Sequence, residues 1–475
     1  FTAKKTSRIA AITLSVAILL SGAVFAQTSF ASADEAEPLY KSDYNSKAEA
    51  REAGLALNEQ ISEEGMILLK NENNTLPLAT SATNKTKITV LGYAGVAPNA
   101  GASLHGGDTS AGAAVAYEDI YSGLEGGNYE LNPTVKAQYE DWADMENVSS
   151  DSAIANLTDG NDFATKSATW TNLDEYNTAM VVISAGSNPI GSEEGQRVHT
   201  LQLDDEQYEL VEYAKDNFDT VIVLVNSCTP IEMSAIQNDS EVDAILNVGE
   251  PGDNGFAALG RILNGQASPS GRMTDTWAVD LTKNPSYVNF NVLTESDAWG
   301  TDGAGTNFGY TRYIYNDELI DTWSVGYEEG IYVGYRWYET AYTEIYNDNY
   351  LADTDADDWY DANVIYPFGY GMSYTTFDWE IWPVLDENSN LTANSALTFD
   401  VRVTNTGDVA GKEVVQLYYS APYTKGGVEK AAVNLGDFAK TEILAPGESQ
   451  VVRVSIDASD MASYDYATAQ TYVLE

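Results

Sequence analysis

The chain has 475 residues, room for two to four domains, and its 44% apolar content belongs to sequences that fold rather than stay disordered. Against 72 Asp and Glu stand only 24 Lys and Arg, a formal net charge of -48. This excludes nucleic acid as a partner class, because its binding needs cations to neutralise phosphates, and it favours neutral or cationic partners. The single cysteine, Cys228, excludes an internal disulfide and reads as a small core residue after a strand.

At the N-terminus, Lys4, Lys5 and Arg8 precede the apolar run IAAITLSVAILLSGAVFA (9–26), and Ala31-Ser32-Ala33 offers a small-residue cleavage site. The sequence predicts a secretory signal over 1–33, either cleaved or retained as a membrane anchor through residues 9–26. The chain is therefore expected outside the cytoplasm, secreted or held on the outer face of a bacterial membrane. Phe1 in place of an initiator methionine implies that the natural polypeptide starts earlier. Residues 34–62 read as a linker with a helix.

From residue 63 the pattern alternates strands and helices. ITVLGYAG (88–95), AMVVISAG (179–186), TVIVLVNS (220–227) and DAILNVGE (243–250) are short β-branched apolar runs, as strands buried on both faces require. A helix is predicted from Asp204, with Gln207 as capping-box partner and a staple between Leu203 and Tyr208. Leu210, Val211 and Ala214 continue its buried stripe. Such alternation predicts an α/β domain, a mainly parallel sheet sandwiched by helices, with ligands at the carboxyl ends of its strands.

The loop SAGSNPIGSEEGQRVHTLQ leaves one such end and carries the adjacent carboxylates Glu193 and Glu194. Two surface acids are the plain alternative; a proton donor for a reaction is the sharper one. His105 lies in the glycine-rich loop NAGASLHGGDTSAG, which lacks the Gly-Lys-Ser/Thr ending of a phosphate-binding loop. His199 has no partner pattern for metal or triad chemistry.

Residues 281–378 are rich in Tyr, Trp, Asp and Asn and read as an elaborated connection packed on the sheet domain. Within them DTDADDWYD (353–361) places Asp358 where a calcium loop needs glycine and Val364 where it needs Glu, so a solvated acidic loop is expected. No metal or cofactor is called for. From 379 to 475, LTFDVRVTNTG, EVVQLYYSAP and SQVVRVSID alternate at period two, predicting an immunoglobulin-like β-sandwich of the fibronectin type III kind. It stops in a strand-like run at TYVLE, so the sandwich is expected to be incomplete and the polypeptide to continue.

Five stretches resemble glycoside hydrolase family 3, the β-glucosidase and β-xylosidase group: EEGMILLKNENNTLPL (63–78), GEPGDNGFAALGRILNGQASPSGRMTDTW (249–277), EEGIYVGYRWYET (328–340), YPFGYGMSYTTF (366–377) and VTNTGDVAGKEVVQLYYSAPY (403–423). They occur in the family's order. Most of that family begins with a (β/α)8 barrel carrying a nucleophilic Asp. Residues 34–62 are far too few for a barrel of roughly 250 residues. The wording of NVGEPG and SGRMTDTW is similar to the subgroup with swapped domain order, which implies a barrel beyond Glu475 and no nucleophile in this chain.

The resemblance implies a retaining glycosidase acting on terminal β-linked glucose or a similar sugar, with two carboxyl groups roughly 5 Å apart. Ser192-Glu193-Glu194-Gly195 matches the family's acid/base loop, so Glu194 is the implied acid/base and Glu193 its neighbour or alternate. Arg197 stands where the family has an Asp-Arg pair, but Gln196 replaces the Asp, which weakens its assignment as a sugar contact. His105 could border the same pocket. The 31 tyrosines and 9 tryptophans suit stacking on apolar pyranose faces, although most must be ordinary packing residues. Two alternatives stay open: a non-catalytic carbohydrate-binding or cell-surface scaffold, and a membrane-anchored adhesion protein. The fragment alone is expected to be inactive.

Overall fold

A computed structural model describes residues 42–96, 119–143, 167–184, 202–203, 205–227, 229–289, 310–315, 318–323, 327, 329–347, 349–384, 392 and 395–474. The chain divides into two compact units, Phe1–Gly54 and Leu55–Glu475. The described part of the first is a turn followed by the start of a helix, Lys47–Gly65. Ser46 Oγ accepts from the Glu49 N–H at 3.1 Å, and Glu49 Oε2 accepts from the Asn45 N–H at 2.9 Å. These bonds satisfy donors that a bare helix start would leave open.

The second unit is built on a six-stranded sheet. Its strands are β1 (Ile67–Asn71), β2 (Thr86–Leu91), β3 (Tyr129–Leu131), β4 (Thr178–Ile183), β5 (Thr220–Val225) and β6 (Ala244–Asn247), in the order β1-β6-β5-β4-β2-β3. All neighbours run parallel except β1, which pairs antiparallel with β6. All six residues of β4 are buried, as are five of six in β5, so these runs are continuously apolar rather than alternating. The helix Asp205–Asn217 lays Leu210, Val211 and Ala214 into this core, with Leu203 buried and Tyr208 packed against it. The expected α/β class is observed. The four strand runs read from sequence fall on β2, β4, β5 and β6, each ending earlier than its apolar stretch.

Gly92, just past β2, has φ 106°, and a Cβ there would lie 2.4 Å from the Val182 carbonyl oxygen of β4. Only glycine permits that approach. Its N–H donates to the buried Tyr139 hydroxyl at 2.9 Å.

The connection to the sandwich begins with β7 (Trp277–Ala278), which pairs with β10 (Val364–Tyr366); a hairpin of β8 (Tyr310–Tyr315) and β9 (Glu318–Trp323) lies between them in sequence. The acidic stretch 353–361, expected as a loop, instead starts the helix Ala356–Asn363. Asp355 caps it by accepting from the Asp358 N–H, and Asp357 and Asp358 in the first turn suit the positive end of the helix dipole. The segment YPFGYGMSY then crosses the sheet domain. Tyr370 donates to the Leu69 carbonyl at 3.1 Å and Tyr374 to that of Ile262 at 3.0 Å, while Met372 N–H reaches the Leu68 carbonyl at 2.9 Å.

The sandwich has one sheet of β11 (Phe377–Pro383), β12 (Ala396–Asn405) and β15 (Ser449–Asp457), and a second of β13 (Val414–Tyr419) and β14 (Asn434–Lys440). A short pair, β16 (Ser463–Asp465) and β17 (Thr471–Val473), follows. Val401, Val403, Val415, Leu444, Val452 and Val454 form its core. The three period-two runs of the sequence fall on β12, β13 and β15. Among the described residues no helix is long and apolar enough to cross a membrane; residues 9–26 lie outside them.

Candidate active site

The carboxyl end of β4 lies between those of β2 and β5, and the chain leaves it at Ser184. Glu193, Glu194, Arg197 and His199 fall in the following segment, 185–201, and His105 in 97–118; all five lie outside the described residues, as does Cys228. What the structure defines is the pair of described ends, Ser184 and Gln202, that flank that segment. At its first foot, Ser184 N–H donates to Gln207 Oε1 at 3.0 Å. Gln207 is buried in the first turn of the next helix, so the strand exit and the helix start are pinned together.

At the second foot, Gln202 forms a parallel bridge with Glu232, and its Nε2 donates to Glu232 Oε2 at 2.8 Å. The other carboxylate oxygen, Oε1, accepts from the Leu281 N–H at 2.5 Å. Glu232 is 8% exposed. A carboxylate removed from water needs such donors, and two different segments supply them. The sequence offered no periodic signal for Glu232; the only clue was an acid set in the apolar stretch PIEMSAI.

Beside these feet, Asn226 N–H donates to the Ile183 carbonyl at 2.9 Å, and Asn226 Nδ2 to the Gly249 carbonyl at 2.6 Å. One backbone bond and one side-chain bond thus tie the ends of β4, β5 and β6 to one another. A cavity of about 560 Å³ opens at the ends of β5 and β6. Ser227, Asn247, Asp275 and Trp277 line it from the sheet domain, and Gln416 and Phe438 from the sandwich. Burial raises the Asp275 carboxyl above its ordinary value, against a 2.9 Å bond from the Thr276 N–H that stabilises the ionised form. Glu64, also in the lining, is paired with Lys412. Asp275 thus borders the cavity as a carboxyl whose ionised form is disfavoured by burial. Among the described residues no group of three or more His, Cys, Asp or Glu is arranged to hold a metal ion.

A sequence model described as the glycosyl hydrolase family 3 C-terminal domain matches residues 66–335, from the start of β1 to the helix Tyr335–Tyr346. The chain belongs to glycosyl hydrolase family 3. A fibronectin type III-like model matches residues 413–475, which hold β13 to β17. Beta-glucosidase A of Butyrivibrio fibrisolvens is 30% identical over 437 residues, covering 85% of this chain and 45% of that protein. Thermostable beta-glucosidase B of Acetivibrio thermocellus is 28% identical over 416 residues, 87% of this chain and 44% of that protein.

Among solved structures, the Paenibacillus barengoltzii β-glucosidase superposes with a TM-score of 0.63 at 29% identity, over 89% of this chain and 40% of that one. β-Glucosidase 3B of Thermotoga neapolitana, solved with α-D-glucose, gives a TM-score of 0.64 at 25% identity, over 89% and 51%. This family 3 chain thus spans about half the length of the relatives it matches. The family and the fibronectin-like domain read from the five sequence stretches agree with these matches.

Proposed function

We propose that this chain is the acid/base-bearing part of an exported, retaining β-glucosidase-like hydrolase, with Glu194 as acid/base. The observation that carries this reading is the family 3 match over 66–335, which spans the segment between the two pinned feet at Ser184 and Gln202. In the proposed reaction a carboxylate of a second domain, a (β/α)8 barrel of the same polypeptide, attacks the anomeric carbon. Glu194 protonates the departing glycosidic oxygen and then takes a proton from the water that releases the sugar. Glu193 contributes a like charge that, with an apolar wall docked against the loop, raises the Glu194 pKa into the working range. Arg197 and His105 are assigned to the rim of the sugar site, and residues 1–33 to export.

The test is Glu194→Gln in the complete polypeptide. A positioned general acid contributes ~10²–10⁴-fold, so hydrolysis of alkyl glucosides falls by about that factor. Aryl glucosides with good leaving groups lose much less in the glycosylation step, and azide restores turnover as a β-glycosyl azide. Wild-type rates on alkyl substrates would refute the assignment. Residues 34–475 alone are expected to show no turnover above a blank. The non-catalytic scaffold is the competing reading, and translation of the frame past Glu475 separates them: a stop codon there favours the scaffold.

A further inference from the structure

We propose that the groove between the helix Tyr335–Tyr346 and the sandwich is a second, non-catalytic saccharide site that takes neutral pyranose chains. Its volume is about 610 Å³, within the usual range for small-ligand sites. It shares no lining residue with the cavity at the ends of β5 and β6. Four aromatic side chains, Tyr332, Trp337, Tyr350 and Tyr423, stand among its mostly polar and small lining residues. Trp337 of the helix meets Tyr350 edge-on, with centroids 6.3 Å apart and planes at 68°. Tyr423 faces the same space from the sandwich side, and Tyr350 and Tyr423 each keep 41% of their surface exposed.

Hydrogen bonds fix the backbone that carries these rings. The Asn349 and Tyr350 N–H groups both donate to the Glu344 carbonyl, at 2.8 and 3.2 Å, which ties the Tyr350 loop to the last turn of the helix. Across the groove, Ala432 N–H donates to Thr340 Oγ1 at 2.9 Å. The buried Lys430 ammonium reaches the Pro422 carbonyl at 2.8 Å and braces the strand-end loop that carries Tyr423. Preorganisation of this kind lowers the entropy cost of binding.

A pyranose is apolar on its C–H faces and polar at its hydroxyl rim. The groove matches both: rings for the faces, and Glu344, Asn347 and Lys425 for the hydroxyls. A flat aromatic or lipid ligand would leave those polar groups stripped of water with no partner. The lining sets Glu344 against Lys425 and Lys430, and the Lys430 ammonium is already engaged by the Pro422 carbonyl, so the groove is close to charge-balanced and neutral sugars are the class it fits. The inference does not rest on Glu194.

Isothermal titration of the full chain with cellotetraose tests it. Saturable binding is expected, and the double variant Tyr350→Ala/Tyr423→Ala, both exposed positions, weakens it about tenfold or more. Tyr350→Phe/Tyr423→Phe keeps the rings and retains binding. Glu194→Gln is read in the turnover of alkyl glucosides by the complete polypeptide, so this site and the catalytic assignment fail separately. Absence of saturable heat, or unchanged affinity in the double alanine variant, would each overturn the proposal. Tetragalacturonate binding as tightly as cellotetraose would overturn the restriction to neutral sugars.

Discussion

Lys412 of the sandwich donates to Glu64 Oε1 at 2.8 Å, joining the loop before β13 to the C-terminal turn of the helix that leads into β1. Lys440 adds a bond to the Glu64 carbonyl at 3.0 Å and a contact to Oε2 at 3.4 Å. Nearby, Arg272 pairs with Glu413 at 2.6 Å, so the sheet domain supplies one acid and one base to this seam. The Lys412 hydrogen bond is the largest influence on Glu64, whose pKa falls from 4.5 to about 2. Burial lowers the Lys440 pKa below its ordinary value, which disfavours its charged form, and the Lys412 hydrogen bond outweighs the Lys440 charge at Glu64.

A depressed acid pKa stabilises the folded chain above the unfolded value and loses that contribution as pH falls through the folded one. Glu64→Gln should therefore lower stability at pH 7, by roughly 1–2 kcal/mol after allowing for solvent screening of a part-exposed pair. The gap between variant and parent should close between about pH 5 and pH 2. Urea midpoints measured across that range check it. A gap independent of pH would mean that the seam is held by shape and not by charge.

Glu232 yields the second prediction. Its two oxygens hold Gln202 and Leu281, so Glu232→Ala leaves a buried N–H and a side-chain amide without their acceptor. The acceptor lost to the buried Leu281 N–H costs about 1–3 kcal/mol, whereas the amide of the exposed Gln202 turns to water. Hydrogen exchange at the Leu281 amide should rise, and limited proteolysis within 185–201 should accelerate. Glu232→Gln keeps one acceptor and should fall between parent and alanine. If exchange at Leu281 is unchanged in the alanine variant, the carboxylate does not hold the foot of the loop.

The strands were legible because burial on both faces removes polar residues from them, and TAMVVI and TVIVLV carry that signature without context. The helix 356–363 was not, because a run of aspartates reads as solvated polarity unless Asp355 is recognised as its cap. The tyrosine-rich connection hid its order for another reason. Its hydroxyls spend their bonds far along the chain, as Tyr370 does on Leu69, and such pairings leave no periodicity. At the candidate site, Gln207 was read as serving the helix start, yet its Oε1 serves Ser184, the strand exit 23 residues earlier. Neither Glu232 nor Asp275 belongs to a pattern that spacing exposes; each depends on segments that only the fold brings together.

Asp275 supports the last prediction. It borders the cavity while protein crowds its other sides, and this desolvation raises its pKa, opposed by the Thr276 N–H. For an acid, a raised folded-state pKa means that the ionised form costs stability at neutral pH. The cost fades as pH falls through the raised value, because the carboxyl then protonates in the folded state. Asp275→Asn keeps the shape and removes the charge. The variant should show a higher urea midpoint than the parent at pH 7 and an equal one near pH 3. In the complete polypeptide a carboxyl that works in the reaction would make the same variant slower while more stable, the pattern of a residue kept for function at the expense of folding. A midpoint that drops at pH 7 would show that the Asp275 carboxylate is stabilising, and would remove it from the candidate proton-handling groups.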